Sequence, residues 1–426
     1  MTVQAIIIIV IFVGCLFAGI PIFFSICIPA VVALVMNGLQ MIIVPKNIVS
    51  GVQSFTLLAI PFFIFAGNLM NSGGITRRIF NICLALIGHI RGGLAYVNVL
   101  ASMVFAGISG SAAADAAGLG KIEMRAMGDE GYDRNFSAAI TAASSVIGPI
   151  IPPSIIMILY ATEAGVSVGD MFKAGILPGV FVGVMLMLAI RSMIAKGEQV
   201  PPPTKFSWKQ LGVSLKEGVL ALIAPGIILL GMFSGSFSPT EAGVVAVVYS
   251  MLVGFVYKEL HIKDLPKILK DSVVATAQVM FITAAAALLS WTLTFTKIPL
   301  VISQGLISLT TNKYLFLLIV DIFLLILGCF IESMAGILII MPIMVPIAAS
   351  LGVNLVHFGI VSCLAMMIGA VTPPMGNCIF ITCSISDTKF EQVVKKIWPF
   401  IIAHILTLFL VTFIEPISTF LPNLLR

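Results

Sequence analysis

Acidic and hydroxyl-bearing side chains stand inside otherwise apolar sequence at two places. FAGISGSAAADAAG (105–118) offers the hydroxyls of Ser109 and Ser111 beside Gly107 and Gly110, and GCFIESMAG (328–336) offers Glu332 and Ser333. About forty residues after each comes a Gly-to-Pro-Pro interruption, GPIIPPS (148–154) and GAVTPPM (369–375). Proline removes a backbone donor and frees carbonyls upstream. Gly148, Val146 and Ile147 in one stretch, and Gly369, Ala370 and Thr372 in the other, can therefore present oxygens within apolar surroundings. Carbonyl and hydroxyl oxygens gathered where a helix breaks suit a hard cation such as sodium. An intramembrane carboxylate is a functional candidate by default, so Glu332 and Asp115 need partners. Lys297 is a candidate counter-charge for Glu332 or for a substrate carboxylate, although a lone lysine near the end of a span commonly just reaches for water.

Other polar residues point to structure. Asp321 lies near the second hairpin tip, and Glu163, Asp170, Glu241 and Glu391 lie near helix ends, where carboxylates cap or are solvated. The four histidines show no metal-ligand spacing, so no transition metal is expected. All seven cysteines lie in apolar stretches without CxxC spacing, which argues for packing rather than disulfides or zinc. GISGS (107–111) imitates a serine-hydrolase motif but lacks the final Gly of GxSxG, and no histidine is placed as its base; an enzyme is not expected.

The elements that must position these residues are transmembrane helices. Of 426 residues, 60% are hydrophobic and 10% charged, and mean hydropathy is +1.16. Soluble domains carry about a quarter charged residues, so the composition excludes a water-soluble globule. The +5 net charge falls in short clusters between apolar runs, which excludes nucleic acid as a partner and makes membrane lipid the surroundings. The N-terminal apolar stretch lacks a basic leader and a cleavage site, so a removable signal peptide is not expected. Apolar stretches fit spans near 4–18, 20–36, 50–70, 136–160, 175–195, 219–234, 238–257, 272–293, 357–384 and 397–414. Residues 94–118 and 315–341 carry Gly, Ser and an acid near their middles, and are expected to be hairpins that enter and leave on one side.

Displacing the sequence by 221 residues superimposes Gly148, Pro152, Pro153 and Pro178 on Gly369, Pro373, Pro374 and Pro399, and Gly107 on Gly328. Lys121, Arg125 and Arg134 have no charged counterpart in 342–355, and the four lysines of 258–270 face only Lys46 in 37–49. Corresponding loops therefore lie on opposite faces, as in an inverted repeat. The expected division is a first repeat at 1–195 (hairpin 94–118, broken helix 136–160), a cytoplasmic linker at 196–218 stiffened by Pro201–Pro203, and a second repeat at 219–426 (hairpin 315–341, broken helix 357–384). With both hairpins re-entrant, 18 of 23 basic residues fall on the cytoplasmic side, leaving Lys46, Lys173, Lys297, Lys313 and Arg426 outside; the N-terminus is expected outside. The 71–93 stretch reads as an amphipathic helix, either interfacial or bracing. The fold class is thus an all-α polytopic membrane protein built as an inverted-repeat transporter. A passive channel is disfavoured because no ring of charges is visible.

AIPFFIFAGNLMNSGGI (59–75), GISGSAAADA (107–116), SSVIGPIIPPS (144–154), GCFIES (328–333), MPIMVPIA (341–348) and HFGI with MIGAVTPPMGNCIF (357–380) resemble the large membrane subunit of the tripartite ATP-independent periplasmic (TRAP) transporters over essentially the whole chain. The resemblance implies a sodium-coupled, elevator-type uptake system in the bacterial inner membrane. Its implied partners are a small four-helix membrane subunit and a periplasmic substrate-binding protein. The implied substrate is an organic acid, sialic acid first and a dicarboxylate second; a stand-alone sodium/anion symporter is the alternative. It places one sodium site on Gly107, Ser109, Ser111, Gly148, Ile151 and Pro152, and another on Gly328, Glu332, Gly369, Thr372 and Met375. Substrate would lie near Ser109, Ser111, Ser154 and Glu332, with Lys297 standing where relatives are expected to carry arginine.

Overall fold

The computed structural model describes residues 2–300, 302 and 312–425, and all their regular structure is helical. The first ten helices are α1 (Thr2–Phe17), α2 (Ile22–Met36), α3 (Ile43–Gly51), α4 (Ala59–Ser72), α5 (Ile75–Ile87), α6 (Gly93–Ser109), α7 (Ala112–Ala117), α8 (Leu119–Asp129), α9 (Arg134–Ser144) and α10 (Ile155–Ala164). They are followed by α11 (Val168–Ala195), α12 (Trp208–Phe233), α13 (Pro239–Val256), α14 (Leu265–Phe295), α15 (Lys313–Phe330), α16 (Ser333–Ser350), α17 (Leu355–Gly369), α18 (Asn377–Ser386), α19 (Phe390–Phe413) and α20 (Pro416–Leu424). Among the described residues, eight helical stretches are long and apolar enough to cross a membrane.

Two packed groups emerge. Helices α4, α5, α12 and α13 pack on one another, and α14 runs along α2, α3 and α4. At 31 residues, α14 is about 46 Å long, enough to span the bilayer and project beyond it. The second group joins α9, α10 and α11 to α15–α20. Its core is the set of fully buried aromatics Phe136, Tyr160, Phe172, Phe316, Phe358 and Phe400. Tyr160 Oη donates to the Leu355 carbonyl at 2.6 Å, tying the two halves of the chain together inside this group.

Both acid-bearing stretches are hairpins whose ends meet. Leu94 N, at the start of α6, donates to Tyr132 Oη just beyond α8 at 3.2 Å. The neighbouring Asp133 pairs with Lys396 in the first turns of α19. In the other hairpin, Lys313 at the start of α15 pairs with Glu415. Nearby Ser418 bonds His357 Nδ1 at 2.7 Å, and His357 lies a short turn beyond the end of α16. Since α19 leads from Lys396 to Thr412, the hairpins open at opposite ends of that helix. The tips sit at Gly110–Ser111 and Ile331–Glu332, but the returning arms run on to Asp129 and Ser350, beyond the expected ends at 118 and 341, because α8 and α16 continue as helix.

The sequence reading is met at one place, the bracing helix, and needs adjustment at two others. Helix α5 is amphipathic, but its apolar face, Ile75, Ile79, Phe80 and Cys83, is buried against protein, packing on α6 and α12. Arg77 and Arg78 reach Glu259 at 2.6 and 2.8 Å, so the helix braces the bundle rather than lying free in an interface. The 196–218 segment is extended only to Ser207; Trp208 to Gly218 already belong to α12, because Ser207 caps it by accepting from Gln210 N. Glu163, expected as a helix-end cap, instead accepts from Ser290 Oγ of α14 at 3.0 Å, a bond between the two packed groups. The inter-element ion pairs among the described residues, such as Lys313 to Glu415 and Lys396 to Glu198, join groups that charge counting places on one face.

The second hairpin is anchored to α19 by Thr412 Oγ1, which donates to the buried Asp321 Oδ2 at 2.8 Å. Removing a hydroxyl donor from a buried acid costs about 1–3 kcal/mol. Thr412→Val should lower the thermal unfolding temperature of the purified protein, while Thr412→Ser should restore it; equal stability of all three would show that the bond does not anchor the hairpin.

Candidate functional site

The first tip is shaped by Gly110, whose φ of +60° ends α6 and reverses the chain into Ser111. Left-handed backbone favours glycine. Ser111 caps α7, its Oγ accepting from Ala114 N at 3.5 Å. The tip lies on the first interruption: Ile155 N donates to the Gly110 carbonyl at 3.4 Å. A Cβ on Gly110 would stand 2.7 Å from the Pro153 carbonyl oxygen, and one on Gly107 3.7 Å from that of Pro152. The interruption runs from Gly148 to Ser154, with a cis bond between Pro152 and Pro153. The first tip and the interruption are therefore brought together, with the carbonyls of Gly110, Pro152 and Pro153 at the contact.

The second tip has the same plan. Glu332 caps α16, Oε2 accepting from Ala335 N at 3.0 Å, and Ser333 Oγ donates to the Met366 carbonyl at 3.3 Å. Gly328 meets the end of α17 so closely that a Cβ on Gly369 would lie 2.6 Å from Gly328 Cα. Beyond it, Thr372 N donates to the Gly369 carbonyl and Thr372 Oγ1 to that of Ile368, at 2.9 and 2.7 Å. A cis bond joins Pro373 to Pro374. Gly328, Glu332, Gly369 and Thr372 thus form one neighbourhood, while the Met375 side chain is half exposed at its edge.

Between the tips lies a cavity of about 500 Å³. Ser111 and Ala114 come from the first hairpin, Glu332, Met334 and Leu338 from the second, and Asn68, Asn71 and Gln278 from α4 and α14. A smaller pocket, lined by Gly110, Ser111, Glu332, Ser333 and Cys378, continues from tip to tip.

Two residues expected at the substrate lie elsewhere. Lys297 follows the end of α14 with φ +55° and does not line the cavity. Ser154 is fully buried, its hydroxyl donating to the Pro149 carbonyl at 2.5 Å and accepting from Met157 N, so it secures the interruption instead. Asp115 is buried behind the tip rather than in the cavity. The Ser109 side chain lies outside the described residues. Among those described, no group of three His, Cys, Asp or Glu is placed to hold a metal ion. The sequence reading passed over Asn68, Asn71 and Gln278. Their signal was amides in otherwise apolar helices, two of them three residues apart and so on one face.

Crowding at the first tip is testable with a pair of glycines. Gly110→Ala adds a close contact to the left-handed strain, whereas Gly165→Ala (φ +66°) meets open space. Left-handed backbone costs a non-glycine residue about 1–2 kcal/mol, so Gly110→Ala should lower the unfolding temperature distinctly more than Gly165→Ala. Equal shifts would mean that the tip is not packed on the interruption.

Comparison with known proteins now adds to this geometry. The sequence is 38% identical to the sialic acid TRAP transporter large permease protein SiaM of Vibrio cholerae over 96% of both chains. It is 40% identical to the C4-dicarboxylate TRAP transporter large permease protein DctM of Pseudomonas aeruginosa over 87% of both. In fold it resembles the YdaH transporter of Alcanivorax borkumensis, with a TM-score of 0.64 over 86% of each chain at 15% identity. The family profile described as the DctM component of tripartite ATP-independent periplasmic transporters matches residues 9–417. The chain therefore belongs to the DctM component family of these transporters, as a multi-pass protein of the bacterial inner membrane.

Proposed function

We propose that this chain carries out sodium-coupled uptake of an organic acid handed over by a periplasmic substrate-binding protein, alongside a small four-helix membrane subunit. The observation that carries the reading is the single cavity bounded by both hairpin tips and by α4 and α14, with Glu332 in its wall. Each tip rests on a helix interruption that gathers oxygen atoms, the arrangement that holds sodium in membrane-embedded repeats. One sodium would lie among Gly107, Ser109, Ser111, Gly148, Ile151 and Pro152. The other would lie among Gly328, Glu332, Gly369, Thr372 and Met375, with backbone carbonyls as the main ligands. Ions bound behind both tips would order the tips and thereby complete the substrate cavity, coupling the two binding events.

The chain reads as two inverted repeats, 1–195 and 219–426. Helices α9–α11 and α15–α20, with the first hairpin, form the unit that moves; α1–α5 and α12–α14 form the frame. Rigid movement of the unit against the frame would give alternating access. The Ser290–Glu163 bond crosses this boundary. Sialic acid is the first substrate to test and a C4-dicarboxylate the second, because relatives named for each are similarly identical to this chain. A stand-alone symporter is the second reading, favoured by a cavity that one chain completes by itself.

The deciding experiment is uptake of radiolabelled sialic acid into proteoliposomes containing the chain and its small partner, with binding protein and an inward sodium gradient each added or omitted. The tripartite symporter requires both; uptake without the binding protein favours the second reading, and uptake without a sodium gradient overturns sodium coupling. Glu332→Gln keeps an acceptor for Ala335 N, so the protein should assemble normally. A bond to a charged group is worth about 1.5–3 kcal/mol, so sodium-driven uptake should fall about tenfold or more. Unchanged uptake removes Glu332 from the mechanism.

A further inference from the structure

The wall of the 500 Å³ cavity is mostly apolar, and its polar side chains are three amides, one hydroxyl and one carboxylate: Asn68, Asn71, Gln278, Ser111 and Glu332. Among the described lining residues there is no lysine, arginine or histidine. An anionic substrate must therefore find its protein donors on neutral groups.

The orientation of the Asn68 amide is fixed by its neighbour, and that of Asn71 is the one its hydrogen bond shows. Ser272 Oγ donates to the Ile268 carbonyl at 2.7 Å, which commits its hydrogen. It can only accept from Asn68, whose Nδ2 approaches at 2.8 Å. The Asn68 Oδ1 is left as an acceptor. Asn71 is set the other way: Thr76 Oγ1 donates to its Oδ1 at 2.6 Å, leaving Nδ2 as a donor. That nitrogen stands 3.0 Å from where a Cβ on Gly118 would lie, so the Asn71 side chain reaches from α4 across to the first hairpin. Residues three apart share a helix face, so α4 presents one donor and one acceptor side by side, both reachable from the cavity.

Resting on the transport reading above, we infer that Asn68 and Asn71 determine substrate specificity, and that the cavity takes a hydroxylated monocarboxylic acid in preference to a dicarboxylic one. Asn71 Nδ2 donates to the carboxylate. Asn68 Oδ1 and Glu332 accept from substrate hydroxyls. A second carboxylate is left with Gln278 as a further amide donor but with no cationic side chain to balance it, and it brings a second negative charge into a wall that already holds Glu332; like charges at close range repel. Site-built polar groups reject an analogue that leaves them unpaired more strongly than apolar walls reject a wrong shape. The cavity is also wider than a four-carbon diacid fills. Because α4 belongs to the frame, these bonds are made in the state seen here and lost when the carrying unit moves.

The test is ligand-induced thermal stabilisation of the purified chain in sodium buffer, titrated with sialic acid and separately with succinate, beside uptake of the same two acids into proteoliposomes. Stabilisation reports affinity through mass action and does not require transport. Sialic acid should stabilise the wild type at lower concentration than succinate. Asn71→Ala and Asn68→Ala should each raise the apparent dissociation constant for sialic acid about tenfold, the worth of one hydrogen bond to a charged or well-ordered partner. Ser272→Ala lies outside the cavity and only frees the Asn68 amide to turn, so it should give a smaller rise for sialic acid. A purely structural role for Asn68 or Asn71 would instead lower the unfolding temperature without ligand and leave the dissociation constant unchanged. Tighter succinate binding, or constants within twofold of wild type in both alanine variants, overturns the inference. Binding as expected without sodium-driven uptake overturns the transport reading alone.

Discussion

Hydrocarbon offers nothing to hydrogen-bond with, so a chain that breaks its helices at membrane depth must bring a second piece of chain to each break. That constraint organises this molecule. Each interruption, at 148–154 and 370–376, is met by the tip of a hairpin, through Ile155 N on the Gly110 carbonyl in one case and through Gly328 against Gly369 in the other. The hairpins cannot dock without bare glycine surfaces, and the interruptions cannot stay buried without the hairpins. The same neighbourhood that satisfies the backbone also concentrates oxygen atoms, so the place proposed for an ion is the place where the fold was obliged to gather polar groups.

Much of this was legible in residues. The Pro-Pro pairs, the Gly-Ser and Glu-Ser tips and the matching offset of 221 residues located both tips and both interruptions within a few positions, though not the ends of the returning arms, because proline and glycine act locally and their consequences do not depend on distant partners. What sequence could not supply was direction. Ser154 looked like a ligand, yet its hydroxyl is turned to Pro149 and Met157 N. Lys297 looked like a counter-charge, yet the end of α14 carries it away from the cavity. Asn68 and Asn71 were overlooked because an amide in an apolar helix has no local signature of its task; only Ser272, 204 residues away, reveals which end of the Asn68 amide is free.

The electrostatic character of the cavity follows from the same economy. Among the described residues, Arg77, Arg78, Lys313 and Lys396 are paired with acids away from the cavity. Glu332 is the charged side chain lining the cavity. A negatively lined, otherwise neutral chamber favours loading with a cation and disfavours an anion arriving alone, the sense of coupling that the proposed function needs.

The segment between the two packed groups sets a mechanical limit. At one end Glu198 is held by Lys396 of α19 at 2.8 Å, and at the other Thr204 N donates to the His89 carbonyl beside α5 at 2.9 Å. Only six residue steps separate these anchors, and a fully extended chain covers about 3.3–3.6 Å per residue. The strap's backbone therefore reaches about 22 Å at most, with three consecutive prolines in its path. Any relative travel that would separate the anchors further must first undo one of them, so the strap would limit the movement proposed for the two groups.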